Sequence, residues 1–298
     1  MTHAASAPLF SIITVVRNDR PGLALTRDSV AGQSLRDLEW IAIDGASTDG
    51  SREFLEARAH ELAAWRSAPD HGPFDAMNRG LAMARGGYLL FLNAGDRFAT
   101  PDTLAGIAQA LRDSADADFV YGDALEETAD GRRLYKPARS HRHAWYGMFT
   151  HHQAMAYRRA CVGDLVYSPR YRIGADYAYT LAALARARSI VRLKEPLCVF
   201  AHGGLSQRHA AEGRRDSARI RRDFLGWGLP RRAAITAAQW AAVSIRQAFP
   251  SLYERARCHA ALPPIARPAS SDGNFDDGFK ISHSEMVDKK LHTIPLIS

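Results

Sequence analysis

Two segments of the chain place oxygen-bearing side chains where a run of β-branched or apolar residues gives way to a turn. The first is IDGASTDGS, in which Asp44 ends an apolar run and Ser51 opens a helical one. A carboxylate at such a strand end is able to accept from the N–H groups of a nucleobase, and the small residues after it let the chain turn sharply. A structural role competes for the later residues of the segment, because Asp49 or Ser51 would also serve as a helix N-cap. A calcium loop does not fit, since Ala46 and Thr48 fall where carboxylates or amides belong and Gly50 comes one place late. The second segment is FLNAGD, Phe91 to Asp96. Oxygen ligands at a strand end suit a hard divalent cation, Mn²⁺ or Mg²⁺, bridging protein and a diphosphate. Such an ion neutralises charge on a departing nucleoside diphosphate. Asn-x-Gly-Asp is equally a good turn.

The elements that must position these residues alternate in type. Ser11 to Arg17 and Leu38 to Asp44 read as buried strands, Trp65 to Ala68 as a short one, and Tyr88 to Asn93 and Asp118 to Gly122 as further strands. Helical spacing falls between them, over Pro21 to Gln33, Ser51 to Ala63, Asp75 to Arg85 and Pro101 to Arg112, with Pro21 at a first-turn position and Gly86-Gly87 as a stop. Continuous apolar strands alternating with helices imply an α/β fold with a mainly parallel central sheet covered on both faces. Ligands of such sheets bind beyond the carboxyl ends of the strands. Further on, Gln153 to Arg158 and Ser189 to Phe200 read as strands and Ala175 to Ala187 as a helix. The expected organisation is a catalytic domain over 9–205, a basic helical extension over 206–262 and a flexible tail over 263–298, where Pro, Gly, Ser and Asp punctuate the chain.

The chain has 298 residues, 46% hydrophobic and 24% charged, which is ordinary globular composition with room for a sizeable core. Three widely spaced cysteines, Cys161, Cys198 and Cys258, form no zinc spacing and suit reduced thiols of a cytosolic protein. The first residues lack a secretory pattern and no run of about 18 apolar residues is present. A formal charge of +7 favours an anionic partner. Much of the excess lies in Arg214, Arg215, Arg219, Arg221, Arg222, Arg231 and Arg232, which form either a solvated helix face or a membrane-surface patch.

Taken in order, TVVRND, IDGASTDG, PDHGPFDAMNRG and FLNAGD resemble the family-two inverting glycosyltransferases, which have the A-type glycosyltransferase fold. The resemblance covers roughly residues 9 to 205. Within that family the last two segments look most like bacterial enzymes that build exopolysaccharide, colanic-acid-type or lipopolysaccharide chains. The resemblance implies that Thr14, Val15 and Arg17 cradle the nucleotide, that Asp44 reads the base, and that Asn78 lies near nucleotide or sugar. It places Asn93 to Asp96 on the family's Asp-x-Asp region, with Asn93 in place of the first Asp, so that Asp96 alone is left to hold the metal. It also implies a general base for the acceptor hydroxyl, which must lie within hydrogen-bond reach of that hydroxyl. In RIGADYAYTLAAL that residue is Asp176, with Ala175 where Glu is common; as a first-turn acid it equally suits a helix N-terminus. Asp164 and Asp123 are the fallbacks.

His151, His152 and Gln153 are candidates for lining the sugar or acceptor pocket, and His202 for reaching the diphosphate or metal. Trp145, Tyr146 and Phe149 suit either an acceptor platform or the core.

The resulting expectation is a cytoplasmic enzyme, peripheral at the inner face of the plasma membrane. It takes a nucleotide-diphosphate sugar and a glycan or lipid-linked acceptor, and no nucleic acid. A dinucleotide-binding reading fails because Arg17 to Gly22 carries no G-x-G-x-x-G, and a P-loop is missing. A nucleotidyltransferase and a non-catalytic nucleotide-binding protein stay open.

Overall fold

The computed structural model describes residues 7–248, apart from 129, 202 and 205–207. The first half builds one edge of the sheet. Strand β1 (Phe10–Val16) is buried at every position, and its partners are parallel on both sides. Those partners are β2 (Leu38–Asp44) and β4 (Tyr88–Phe91), and β3 (Ala64–Ser67) extends the sheet beyond β2. Helices α1 (Arg20–Ala31), α2 (Ser51–Glu56) and α3 (Pro73–Met83) make the crossovers. Helix α2 stops earlier than helical spacing predicts. The chain continues as a 3-10 turn, Ala59–Glu61, from which Glu61 pairs with Arg27 of α1 at 2.6 Å.

The second half departs from the mainly parallel expectation. After the short β5 (Arg97–Phe98) and helix α4 (Thr103–Asp113) come β6 (Phe119–Glu127), β7 (Arg133–Lys136), β8 (Met155–Arg158) and β9 (Ile190–Phe200). The sheet order is β3-β2-β1-β4-β8-β6-β9-β5, with β7 on β6. Strand β8 runs antiparallel to both β4 and β6, β5 antiparallel to β9, and β6–β7 is a hairpin. Only β6–β9 is parallel here. The sheet is therefore mixed. The β6–β7 hairpin follows from its short connection, which cannot supply the crossover that parallel neighbours require; the other antiparallel pairs join strands distant in sequence.

Apolar side chains cover both faces. One layer is centred on Ile13, Ile41, Phe91, Tyr157 and Tyr179, the other on Ile12, Trp40, Leu90, Leu104 and Ile107. Phe149 is core, not platform, at 3% exposure. Helices α5 (Arg159–Val162) and α6 (Ala175–Arg186) pack on the first layer. Helices α7 (Ala210–Leu225) and α8 (Leu229–Ala248) follow β9, with α7 packed on α6. No helix among the described residues is long and apolar enough to cross a membrane. Cys161 and Cys198 are free thiols. Cys258, His202 and the 263–298 segment lie outside the described residues.

Candidate functional site

The carboxyl ends of β1, β2 and β4 converge, as a parallel sheet requires. Val16 pairs with Asp44, and Gly45 N–H donates to the Val16 carbonyl at 2.9 Å. The two following loops are tied side chain to backbone. Asn18 N–H donates to Ser47 Oγ at 2.8 Å, Thr48 N–H to Asn18 Oδ1 at 2.8 Å, and Arg20 N–H to Asp49 Oδ2 at 2.8 Å. Asp49 also accepts from Ser51 N–H and Oγ, so it joins the start of α1 to the start of α2.

Asp44 is fully buried. Its carboxylate accepts from Ser47 N–H, from Ser47 Oγ and, at 2.6 Å, from Ser67 Oγ of β3. To meet a base directly it would have to exchange a hydroxyl partner, which serine rotors permit. A second carboxylate, Asp70, lies over the same loop. Its Oδ2 is 2.5 Å from where a Cβ on Gly45 would stand, and the Arg17 side chain is 3.3 Å from that point. Gly45 is thus glycine because Asp70 and Arg17 close over it. Arg17 is exposed and makes no ion pair among the described residues. Thr14 and Val15 stand inside the sheet. Thr14 Oγ1 accepts from Trp40 Nε1 at 2.9 Å, and Val15 offers its carbonyl to Ala94 N–H at 3.1 Å. Their side chains are core, and of the three only Arg17 is exposed.

The FLNAGD segment continues past β4. Leu92 N–H reaches the Ile13 carbonyl, and Gly95, at φ +91°, makes the turn. Thr26 of α1 holds that turn: its Oγ1 is 2.8 Å from the Asp96 carbonyl and accepts from Gly95 N–H at 3.0 Å. Asp96 is 4% exposed and accepts from Gln153 Nε2 at 2.6 Å and Ala201 N–H at 2.9 Å. Burial pushes its carboxyl up to about 6, against the pull of those two donors. Around it stand polar atoms without partners among the described residues: Asn93 Oδ1, Gln153 Oε1 and His152 Nε2. A buried acceptor left bare costs about 1–3 kcal/mol, which marks a place for water or ligand.

These atoms decide how a divalent cation fits. Among the described residues no group of three or more His, Cys, Asp or Glu gathers to cage a metal. One carboxylate, Asp96, and the bare Asn93 oxygen are what the strand end supplies. That set fits a hard ion held mainly by diphosphate and water, as Mg²⁺-type sites commonly are.

Across the sheet, Asp176 stands in the first turn of α6, with 23% of its side chain exposed. Its Oδ1 accepts from Tyr177 N–H at 2.8 Å, and its Oδ2 lies 3.5 Å from His152 Nδ1. Asp216 of α7 anchors this end of α6: fully enclosed, it accepts from Ile173 N–H at 2.8 Å and Gly174 N–H at 3.2 Å. Asn78, expected near nucleotide or sugar, clamps the loop before α6. It donates to the Tyr167 carbonyl at 2.8 Å and accepts Tyr167 N–H at 2.7 Å. Tyr167 then stacks on Tyr179 at 4.5 Å.

The two fallback bases are occupied elsewhere. Asp164 is a surface residue paired with Arg186 at 3.0 Å. Asp123 is buried, accepting from Tyr135 Oη and from Ala138 N–H at 2.7 Å. His151 is structural: its ring stacks on Phe200 at 4.1 Å and its Nε2 lies 2.9 Å from Glu126, which also pairs with Lys136. Burial and the Lys136 charge push His151 down to about 4. Burial raises the Glu126 carboxyl, but the His151 hydrogen bond and the Lys136 charge outweigh it and hold it below the carboxylate range.

Sequence reasoning missed Asp70, Thr26 and Asp216, and placed Gln153 only as a pocket-lining residue. Asp70 alone carried a signal, in that it follows β3 within PDHG as Asp44 closes β2.

A parallel-edged α/β sheet whose strand ends gather carboxylates, bare oxygens and a free arginine describes a nucleotide-handling transferase. This chain belongs to glycosyl transferase family 2, whose family model matches residues 11–165. A PGL/p-HBAD biosynthesis glycosyltransferase of Mycobacterium tuberculosis is 33% identical over 201 residues, covering 63% of this chain and 74% of that protein. Residues 1–349 of S. aureus TarS, solved with UDP-GlcNAc, align over 77% of this chain and 70% of that one, at TM-score 0.61 and 19% identity. Against the longer TarS structure this chain spans 42% of the length. The mannosyltransferase PcManGT of Pyrobaculum calidifontis, solved with GDP-Man and Mn²⁺, aligns over 85% of this chain and 79% of that one, at TM-score 0.56 and 19% identity. The chain therefore has the A-type glycosyltransferase fold and glycosyltransferase function.

Proposed function

We propose that this enzyme transfers a sugar from a nucleotide-diphosphate donor to a glycan or lipid-linked acceptor, with inversion, in bacterial surface polysaccharide synthesis. It works in the cytoplasm, peripheral to the inner face of the plasma membrane. The observation that carries the reading is the separation of charges along one sheet edge. Arg17, Asp44 and Asp70 stand at the nucleotide end, Asn93 and Asp96 next, and Asp176 beyond. The donor lies with its base over the Asp44–Asp70 loop and its phosphates toward Arg17 and Asn93. Asp96 and Asn93 would hold Mn²⁺ or Mg²⁺, and such an ion would supply charge neutralisation for the leaving diphosphate. Asp176 accepts the proton of the acceptor hydroxyl as that oxygen attacks the anomeric carbon. His152, 3.5 Å away, orients the carboxylate and is a positioning residue. Partial burial of Asp176 leaves room for the acceptor on its open side.

The curated mycobacterial relative carries PGL/p-HBAD biosynthesis in its name, and the solved neighbours hold UDP-GlcNAc and GDP-Man. Both kinds of donor are therefore the first to try. The test is incubation with UDP- and GDP-sugars, a short glycan acceptor and Mn²⁺, with the product anomer read by NMR. Transfer with inverted configuration is expected. Retained configuration, or donor binding without turnover on any acceptor, contradicts the reading; the latter favours a non-catalytic nucleotide-binding protein.

A further inference from the structure

The arginines of α7 look in sequence like a cationic face for a membrane, but most are committed within the protein. Arg221 is fully buried, donating to the Tyr146 carbonyl at 3.1 Å and to Gln239 Oε1 at 3.3 Å. Arg219 lies 3.8 Å from Asp216, and Arg222 2.8 Å from Asp223. Apart from the isolated Leu25 and Val166, the exposed large apolar side chains lie on α8 and beside its junction with α7. Leu229 is 71% exposed, Trp240 53% and Trp145 40%. Leu229 and Trp240 stand three turns apart on one side of α8, with exposed Ala233, Ala237 and Ala241 along the same side. Gln239, the residue before Trp240, turns inward and donates to the Tyr146 carbonyl at 2.8 Å. Trp227, between the helices, meets Trp145 with ring centroids 5.8 Å apart.

Each tryptophan of α8 and its junction carries a cation. Arg231 lies over Trp227 at 4.7 Å, and Arg214 over Trp240 at 4.4 Å. Neither arginine pairs with a carboxylate among the described residues. From Gly226 to Ala248 the sequence contains no Asp or Glu. Exposed Trp240 and half-buried Trp227, each with an arginine beside it, and no acid on the helix, are complementary to an anionic lipid headgroup layer: the rings seat at the interface and the guanidiniums reach the phosphates. The face is also tied to the helix that carries Asp176. Segment 144–146, which ends at Tyr146 beside Trp145, receives a 2.6 Å hydrogen bond at the Ala144 carbonyl from Tyr177, the residue after Asp176.

We infer that Trp145, Trp227, Leu229 and Trp240, flanked by Arg214 and Arg231, form a docking face for an anionic lipid surface. This face brings the lipid end of a membrane-held acceptor to the Asp176 side of the site. The second half of that statement rests on the lipid-linked acceptor proposed above; the docking face does not.

The test is co-sedimentation of the full chain with phosphatidylcholine vesicles, with and without phosphatidylglycerol, at low and high salt. Binding is expected only with phosphatidylglycerol present, with partial loss at high salt. Leu229→Ser combined with Trp240→Ser should weaken it at least about tenfold, since both apolar groups then stay in water. Trp145→Ser, a change outside α8, should weaken it less. UDP and GDP binding measured on the same samples separates the two proposals: vesicle binding without nucleotide binding removes the proposed donor chemistry and leaves this face standing. Absence of vesicle binding by the native chain, or undiminished binding by the double variant, overturns the inference. So does concentration-dependent self-association that the double variant abolishes, which would assign the face to a second copy of the chain.

Discussion

The two ends of the sheet are built on different principles. At the donor end, β1, β2 and β4 are parallel neighbours, and the groups that matter follow each strand within a few residues. At the acceptor end the sheet is mixed, and Asp176 is set by partners far away in sequence: His152 beside it, Asp216 behind the first turn, and Asn78 holding the loop before α6. The donor end is a local motif that a sequence can display. The acceptor end is an assembly of long-range hydrogen bonds, which a sequence does not display.

The two ends should therefore fail separately. The largest effect is expected at Asp176. Replacement by Asn keeps the size and the hydrogen-bonding shape but removes the proposed base, so transfer should fall by about 10²–10⁴-fold with the donor Kd unchanged. A raised donor Kd in a folded Asp176→Asn protein would break the division.

Asp96 comes next, and its effect has a sign. Its native pKa of about 6 lies above the ordinary value of 3.8, so the folded protein holds this proton more tightly than the unfolded chain does. Stability from this group is then complete at low pH and is lost as pH rises through about 6, by an amount on the order of 3 kcal/mol. Asp96→Asn, with Gln153 turned to present its oxygen, should raise Tm at pH near 8 and leave it nearly unchanged at pH near 4, while Mn²⁺ no longer tightens nucleotide binding. Equal Tm changes at both pH values would contradict the buried, strained carboxyl.

Asp216→Ala leaves the Ile173 and Gly174 N–H groups without their acceptor. It should destabilise by about 2 kcal/mol and lower the transfer rate, sparing donor affinity. Denaturant unfolding and nucleotide titration on one sample would check both. Asn78→Ala should cost about 1–2 kcal/mol through the two lost Tyr167 bonds, also without change in donor affinity. A weakened donor Kd with unchanged stability would return Asn78 to the role the motif suggests.

Much of the donor half was legible in the sequence because a strand-turn-helix writes its period and its turn residues locally. The boundaries of β1 and β2 and the start of α3 lie within a couple of residues of what periodicity predicts. The mixed pairing of the second half was not legible because short apolar runs such as Met155–Arg158 do not record their direction; that is set by the neighbour they meet. The same limit applies to side chains. Asn78 and Asp44 sit in segments the family shares, yet their immediate partners, Tyr167 and the Ser47–Ser67 pair, are decided by packing. Asp216 gave no sign at all, since an acid inside an arginine-rich helix reads as surface.

The donor site itself is tested most directly by titrating the native chain with UDP, GDP, CDP and dTDP, with and without Mn²⁺, and following Tm and heat of binding. One nucleoside diphosphate should bind saturably and raise Tm, more so with Mn²⁺, while Mn²⁺ alone should show no saturable binding because the protein offers it one carboxylate. Tight binding of Mn²⁺ alone, or no response to any of the four nucleotides, would contradict the account.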